Sequence, residues 1–281
     1  MPYASNGDTR LFYERAGNGT PLILLMGLGG TLRAWGLQWT AFSLSHDLLA
    51  MDNRGAGRSD KPADGYSVAA FAADLAAVMD HAGIHSAHIL GISLGGLVAQ
   101  EFFHRHPDRV RSLTLCATGV GVNDTAGVPP TAAVTETLAL DPRTTPAQEL
   151  LQRHVETFYH PDYVAHVPDL VDRLKAFHAM EPQPAHGYKG QLHAIMSHEP
   201  NSPRLHRIHV PTLVLHGADD RVWPPANGRY LARHITGARL LEVPGAAHML
   251  PLEKPLEFNQ AVLHFLGDVD NSQRTAAPDQ N

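Results

Sequence analysis

Short apolar runs bounded by turn residues alternate along the chain with longer stretches in which apolar positions recur every three or four residues. That alternation predicts a mainly parallel sheet covered by helices. The runs predict parallel strands at Leu22 to Met26, Leu48 to Asp52, Ala87 to Gly91, Val110 to Cys116, Thr212 to Gly217 and Arg239 to Val243. Ahead of them, Tyr3 to Ser5 and Thr9 to Glu14 flank Asn6-Gly7-Asp8 and predict an antiparallel hairpin, which brings the expected sheet to eight strands. Between strands, Val68, Phe71, Leu75, Val78 and Met79 form the stripe of a helix packed on a sheet, and Phe258, Val262, Phe265 and Leu266 repeat it.

From about Gly121 to Arg207 the rhythm breaks into helical patterns, Leu150 to Tyr159 and Leu170 to Met180 among them, separated by prolines. The ends of this stretch fall between two expected strands, so an excursion from one domain is simpler than a second domain. Residues 1–120 and 208–268 are therefore expected to form an α/β core and 121–207 an inserted helical lid, while 269–281 read as a polar, flexible tail.

Composition agrees with a globular chain: 43% of the 281 residues are hydrophobic and 18% charged. A net charge of -6, with acids and bases interspersed, leaves no basic footprint for nucleic acid. No apolar run approaches the roughly 20 residues that span a bilayer, so no membrane partner is expected. The N-terminus lacks the basic start and apolar stretch of a signal peptide, which makes the cytoplasm the expected location. The single cysteine, Cys116, sits in an apolar run and reads as a buried structural thiol. Nothing in the pattern speaks to oligomeric state.

Candidate chemistry begins at Gly91-Ile92-Ser93-Leu94-Gly95-Gly96, between an expected strand and an expected helix. Gly-x-Ser-x-Gly in that setting is a nucleophile elbow: the sharp turn lifts Ser93 Oγ into the open, and the glycines let strand and helix approach. The helix starting beneath it offers unpaired N–H groups, the Leu94 N–H first, to a developing negative charge. Serine needs a positioned base. His248 lies in a glycine-containing loop after the last expected strand, at the sheet edge where open α/β sheets bind ligands. The orienting acid should come from Gly217-Ala218-Asp219-Asp220, where spacing alone leaves Asp219 and Asp220 open. Chain order Ser, acid, His is that of α/β hydrolases.

From about Pro21 to Leu266 the chain resembles the α/β-hydrolase superfamily, in its single-domain esterase, lactonase and serine-haloperoxidase branch. The resemblance implies a mostly parallel eight-stranded sheet flanked by helices with an inserted lid. In that family the acid sits in Gly-x-x-Asp-x-x-x-Pro, which maps onto Gly217, Asp220 and Pro224 and selects Asp220. The family's second oxyanion donor comes from the loop after the first parallel strand, here Met26-Gly27-Leu28-Gly29-Gly30, which implies the Leu28 N–H, with Gly27 beside the substrate. Met26 stands where a histidine commonly braces that loop. Asp52-Asn53-Arg54-Gly55-Ala56-Gly57-Arg58-Ser59-Asp60 also resembles the family and reads as scaffold, because it lacks the Gly-Lys-Ser/Thr ending of a phosphate loop.

The implied activity is hydrolysis of a small, mainly apolar carboxylic ester or lactone through an acyl-enzyme, without a cofactor. Trp35, Met180, Trp223 and Met249 are candidate apolar walls, alongside Phe158, Tyr159 and Phe177. The 19 histidines show no His-Glu-x-x-His or comparable signature, so no metal site is expected. Two other readings use the same fold: a non-hydrolytic enzyme such as a perhydrolase or lyase, and a ligand receptor derived from a hydrolase.

Overall fold

The computed structural model describes residues 3–141, 144–181 and 183–276. The strands are β1 Tyr3–Asn6, β2 Thr9–Ala16, β3 Thr20–Leu25, β4 His46–Met51, β5 Ala87–Ile92, β6 Val110–Cys116, β7 Thr212–Gly217 and β8 Arg239–Val243. They lie in the order β1-β2-β4-β3-β5-β6-β7-β8. The β1/β2 and β2/β4 pairs are antiparallel, and every other pair is parallel. This is the expected mostly parallel eight-stranded sheet, and the last three strands begin and end where the apolar runs do.

Side chains alternate between the faces of a strand, and each face buries its own cluster. Ile23, Leu25, Leu49, Met51, Ile89, Leu113 and Leu115 face α2 Val68–His81 and α3 Leu94–Arg105. Leu22, Leu24, Leu48, Ala50, Leu90, Ile92 and Leu215 face the other way, against Phe42, Phe258, Val262 and Phe265. Phe42 comes from a helix at Gly36–Ser43, α1, and the last three from one at Pro255–Ala276. Helix α2 is capped by the Ser67 hydroxyl, which accepts the Ala70 N–H, and its stripe of Val68, Phe71, Leu75, Val78 and Met79 is buried throughout.

The insertion between β6 and β7 carries α4 Ala132–Leu138, α5 Ala147–Phe158, α6 Pro161–His166, α7 Leu170–Met180 and α8 Ala185–Met196. After β7 come α9 Ala226–His234, the single turn α10 Leu250–Glu253, and the long helix just named, α11. No helix among the described residues is long and apolar enough to cross a membrane.

The end of the chain departs from the expectation of a flexible tail from 269. Helix α11 continues to Ala276, because Val269 extends the stripe of Val262, Phe265 and Leu266 and is buried. The polar residues that suggested fraying lie around that stripe. Asp270 turns inward, within 3.1 Å of His88 Nε2 and 3.5 Å of Arg111. Residues 277–281 of the expected tail lie outside the described residues.

Strand β3 has β4 on one side and β5 on the other, so the strand order reverses direction between β3 and β5. Open α/β sheets bind ligands beside such a reversal, at the carboxyl ends of the strands. The loop carrying Gly27 and Leu28 follows β3, and Ser93 follows β5.

Candidate active site

Ser93 has φ 55° and ψ -117°, a conformation that L-residues avoid, at the junction of β5 and α3. Its neighbours make that turn possible. A Cβ on Gly91 would come within 2.1 Å of Gly95 O, and one on Gly95 within 2.3 Å of Leu25 O. Ser93 N–H donates to Cys116 O (3.0 Å), and Thr118 Oγ1 donates to Ser93 O (2.9 Å), which fixes the elbow's backbone against β6. Gly27 lies directly beside the serine, since a Cβ placed on it would sit 3.1 Å from Ser93 Cβ.

Strand ends carry the other two groups to the same edge. Ile92 pairs with Cys116 and Cys116 with Leu215, so β5 and β6 finish level and β7 runs two residues further, to Gly217, which pairs with Val243 of β8. Asp220 follows β7 and His248 follows β8. His248 Nδ1 donates to Asp220 Oδ2 at 2.9 Å, and both residues are buried. Asp220 Oδ1 accepts the Val222 and Trp223 N–H groups at 2.8 and 3.0 Å. Burial alone would raise this carboxyl, but His248, His216 and the backbone donors outweigh it and hold it below the usual carboxylate range. Asp219 is exposed and lies 3.6 Å from His160 instead. The Asp220 bond uses Nδ1–H and leaves His248 Nε2 as the free ring nitrogen. No hydrogen bond joins Ser93 Oγ to His248; apo sites often show that bond open, tightening only around substrate.

Two backbone donors are available. Leu94 is the first residue of α3, whose opening N–H groups have no helical acceptor. The Leu28 N–H makes no hydrogen bond to another described residue, whereas its neighbour Gly29 N–H donates to Gln191 Oε1 at 2.8 Å.

The expected walls fare unequally. Trp35 packs in the core, 1% exposed and stacked on Phe258, so its place as a pocket wall is corrected: the short helix that carries it turns its indole into the cluster under the sheet. Met180, at the end of α7, is 59% exposed and packs on neither core cluster. Trp223 is buried against Gly119, where a Cβ would meet its ring at 2.7 Å. Met249 is half-buried between the two clusters. Phe158 meets the His248 ring edge to face at 5.4 Å, and its backbone carbonyl accepts the His248 backbone N–H at 3.1 Å. His154 stacks on Phe158 at 4.1 Å, and burial pushes its imidazole down to about 4.

Sequence reasoning missed three polar residues here. His216 donates from Nε2 to Trp223 O (2.6 Å) and lies 3.5 Å from Asp220. Glu253 accepts from Ala247, Met249 and His160 N–H groups at 2.9 to 3.0 Å, stapling the His248 loop to the start of α6. Gln191 reaches the loop after β3 from the insertion. No periodicity or motif marks any of them. In the Asp52–Asp60 turn, Asp52 accepts the Leu32 and Arg58 N–H groups, and Arg54 forms a buried two-bond pair with Asp74 at 2.5 and 2.6 Å.

His46, His88 and Asp270 bring three possible metal ligand atoms within 4.8 Å of one another. His46 and His88 lie at the amino ends of β4 and β5, away from Ser93 at the carboxyl end of β5, and Asp270 reaches them from α11. His88 is already bonded through both nitrogens, to Ser112 Oγ (2.7 Å) and Asp270, and burial pushes it down to about 4. Cys116 is buried, and burial pushes its thiol well above the ordinary value.

Residues 20–255 match the family model of the alpha/beta hydrolase fold. The chain is 30% identical to the putative carbamate hydrolase RutD of Azorhizobium caulinodans, over 96% of this chain and 100% of that protein. It is also 30% identical to the putative non-heme bromoperoxidase BpoC of Mycobacterium tuberculosis, over 92% of this chain and 98% of that one. Its structure resembles the crystal structure of the enol-lactonase from Burkholderia xenovorans LB400 with a TM-score of 0.82, at 28% identity, covering 95% of this chain and 100% of that one.

Proposed function

The chain belongs to the alpha/beta hydrolase family, and on that footing we propose that it is a serine hydrolase cleaving a carboxylic ester or lactone of a small, mainly apolar molecule. The observation that carries this reading is the strained Ser93 following β5 at the same carboxyl edge of the sheet where β7 and β8 deliver the buried Asp220–His248 pair.

In this mechanism His248 Nε2 takes the Ser93 proton as Oγ attacks the substrate carbonyl, and the Leu28 and Leu94 N–H groups receive the oxyanion. The protonated His248, steadied by Asp220, hands its proton to the departing alcohol. Water, deprotonated by the same imidazole, then attacks the acyl carbon and frees Ser93. Asp220 stays ionised throughout, and its bond to Nδ1 keeps the productive tautomer. The helices of 121–207 act as a lid whose α5 brings Phe158 and His154 over His248. Phe158, Met249 and the backbone at Gly27 are the groups that border the acyl carbon.

The enol-lactonase and carbamate hydrolase relatives support a carbonyl flanked by a heteroatom leaving group as the shared substrate element. Likeness to a bromoperoxidase favours one second reading: peroxide in place of water attacks the acyl-enzyme, and the peracid released oxidises bromide. A panel separates them. Turnover is measured on p-nitrophenyl acetate, aliphatic methyl esters, five- and six-membered lactones and a phenyl carbamate, and in parallel as bromination with acetate, peroxide and bromide. Ester or lactone turnover well above bromination is expected, whereas bromination outpacing every hydrolysis would replace this reading by the second.

A further inference from the structure

Building on the hydrolase reading, we propose that Gln191 is a positioning residue for the oxyanion loop, through which the helical insertion sets the geometry of the hydrolytic centre. Gln191 lies on α8 and is fully buried. Its Oε1 accepts the Gly29 N–H at 2.8 Å and its Nε2 donates to Arg54 O at 2.8 Å. Those two partners fix which way round the amide sits, because a reversed amide would set N–H against N–H and oxygen against oxygen.

The loop needs such a partner. Gly30 N–H donates to Gly27 O at 3.1 Å and Gly29 has φ 71°, the marks of a type II turn with Leu28 and Gly29 at its centre. With glycine in that position the middle peptide can turn over at little steric cost, which gives the loop a second conformation close in energy. A turned peptide would aim the Leu28 carbonyl where the Gly29 N–H now points, at Gln191 Oε1. Two acceptors cannot share that contact, so Gln191 selects one orientation. The oxyanion donor, the Leu28 N–H, belongs to the preceding Gly27–Leu28 peptide, which meets the braced peptide at Leu28 Cα, so holding the turn holds the donor.

The brace is itself held rigidly. Arg54, whose carbonyl orients Gln191, is locked by its paired bonds to Asp74. Gln183 Nε2 donates to Gly55 O at 2.8 Å, and a Cβ on Gly187 would come within 2.5 Å of the same oxygen, so α8 is seated tightly on the turn after β4. On the other side of the loop, Met26 supplies only its carbonyl, to Asn53 Nδ2 at 2.9 Å, while its thioether packs on Gly30. The polar contact with the centre of the turn therefore comes from a residue 162 positions away in sequence.

The test compares Gln191→Leu, which removes both bonds, with Gln191→Glu, which, kept neutral by burial, retains an acceptor for Gly29 and an O–H donor for Arg54 O. Losing an oxyanion donor costs roughly 10²–10³ in kcat, so Gln191→Leu should lower kcat on p-nitrophenyl acetate about 100-fold with KM little changed. Gln191→Glu should recover at least a tenfold share of that loss. Amide hydrogen exchange at Gly29, read by NMR, should be slow in the wild type and in Gln191→Glu and fast in Gln191→Leu. Unchanged kcat in Gln191→Leu, equal losses in both variants, or equally slow Gly29 exchange in all three would overturn the proposal. Turnover that survives Ser93→Ala defeats the hydrolase reading instead, and the exchange comparison then decides the brace by itself.

Discussion

Replacing Ser93 with alanine is expected to lower turnover of a short p-nitrophenyl ester by a factor on the order of 10⁶, the cost of deleting the nucleophile of a working triad. Folding should survive. The Ser93 hydroxyl makes no hydrogen bond to another described residue, and the bonds that hold the elbow run through the backbone, from Ser93 N–H to Cys116 O and from Thr118 Oγ1 to Ser93 O. The φ of 55° is imposed by β5, α3 and the close approach of Gly91 to Gly95, and alanine tolerates it about as well as serine. Thermal unfolding should therefore stay within a few degrees of wild type. Steady-state assays with freshly purified variant check this, and turnover within tenfold of wild type would remove Ser93 from the mechanism.

Asp220→Asn should be nearly as damaging, about 10⁴-fold in kcat, because an amide facing Nδ1 no longer enforces the tautomer that leaves Nε2 free to accept a proton. Its remaining oxygen can still take the Val222 and Trp223 N–H groups, so the loop should keep its shape. Asp219→Asn is expected to change kcat less than about twofold, as surface substitutions generally do, since Asp219 is exposed and bonds none of the reacting groups. Equal losses in the two variants would reopen the identity of the acid. Stability carries a second signature. The folded Asp220 pKa lies below the unfolded value, so its ionised form favours the fold at every pH above the ordinary carboxylate range. That contribution fades only as pH falls through the depressed folded value, and Asp220→Asn should lack it.

The sheet was readable because its strands are short, apolar-rich runs bounded by turn residues, whose lengths match the observed strands, as at Val110–Cys116 and Thr212–Gly217. The elbow was readable for a related reason: Gly91 and Gly95 are demanded by close backbone approaches and Gly96 by the Thr118 side chain, and such demands leave a fixed spacing. Side chains whose partners are distant leave no such trace. Gln191 and Glu253 act through hydrogen bonds to backbone groups far away in sequence or on neighbouring turns, and nothing local to either residue betrays that. Trp35 misled because a large apolar side chain expected near the triad reads as a pocket wall, whereas the helical turn that carries it buries it against α11. The tail misled because its polar residues outnumber one decisive apolar position, Val269, and one inward carboxylate, Asp270.

Covalent labelling puts the question to the serine itself. Purified chain is treated with a serine-directed fluorophosphonate, digested, and mapped by tandem mass spectrometry while residual hydrolysis is followed in parallel. One adduct per chain on Ser93, accumulating in step with the loss of activity, is the expected result. An unmodified Ser93 in fully inactivated protein, or an adduct on another residue that tracks the inactivation, would contradict the account.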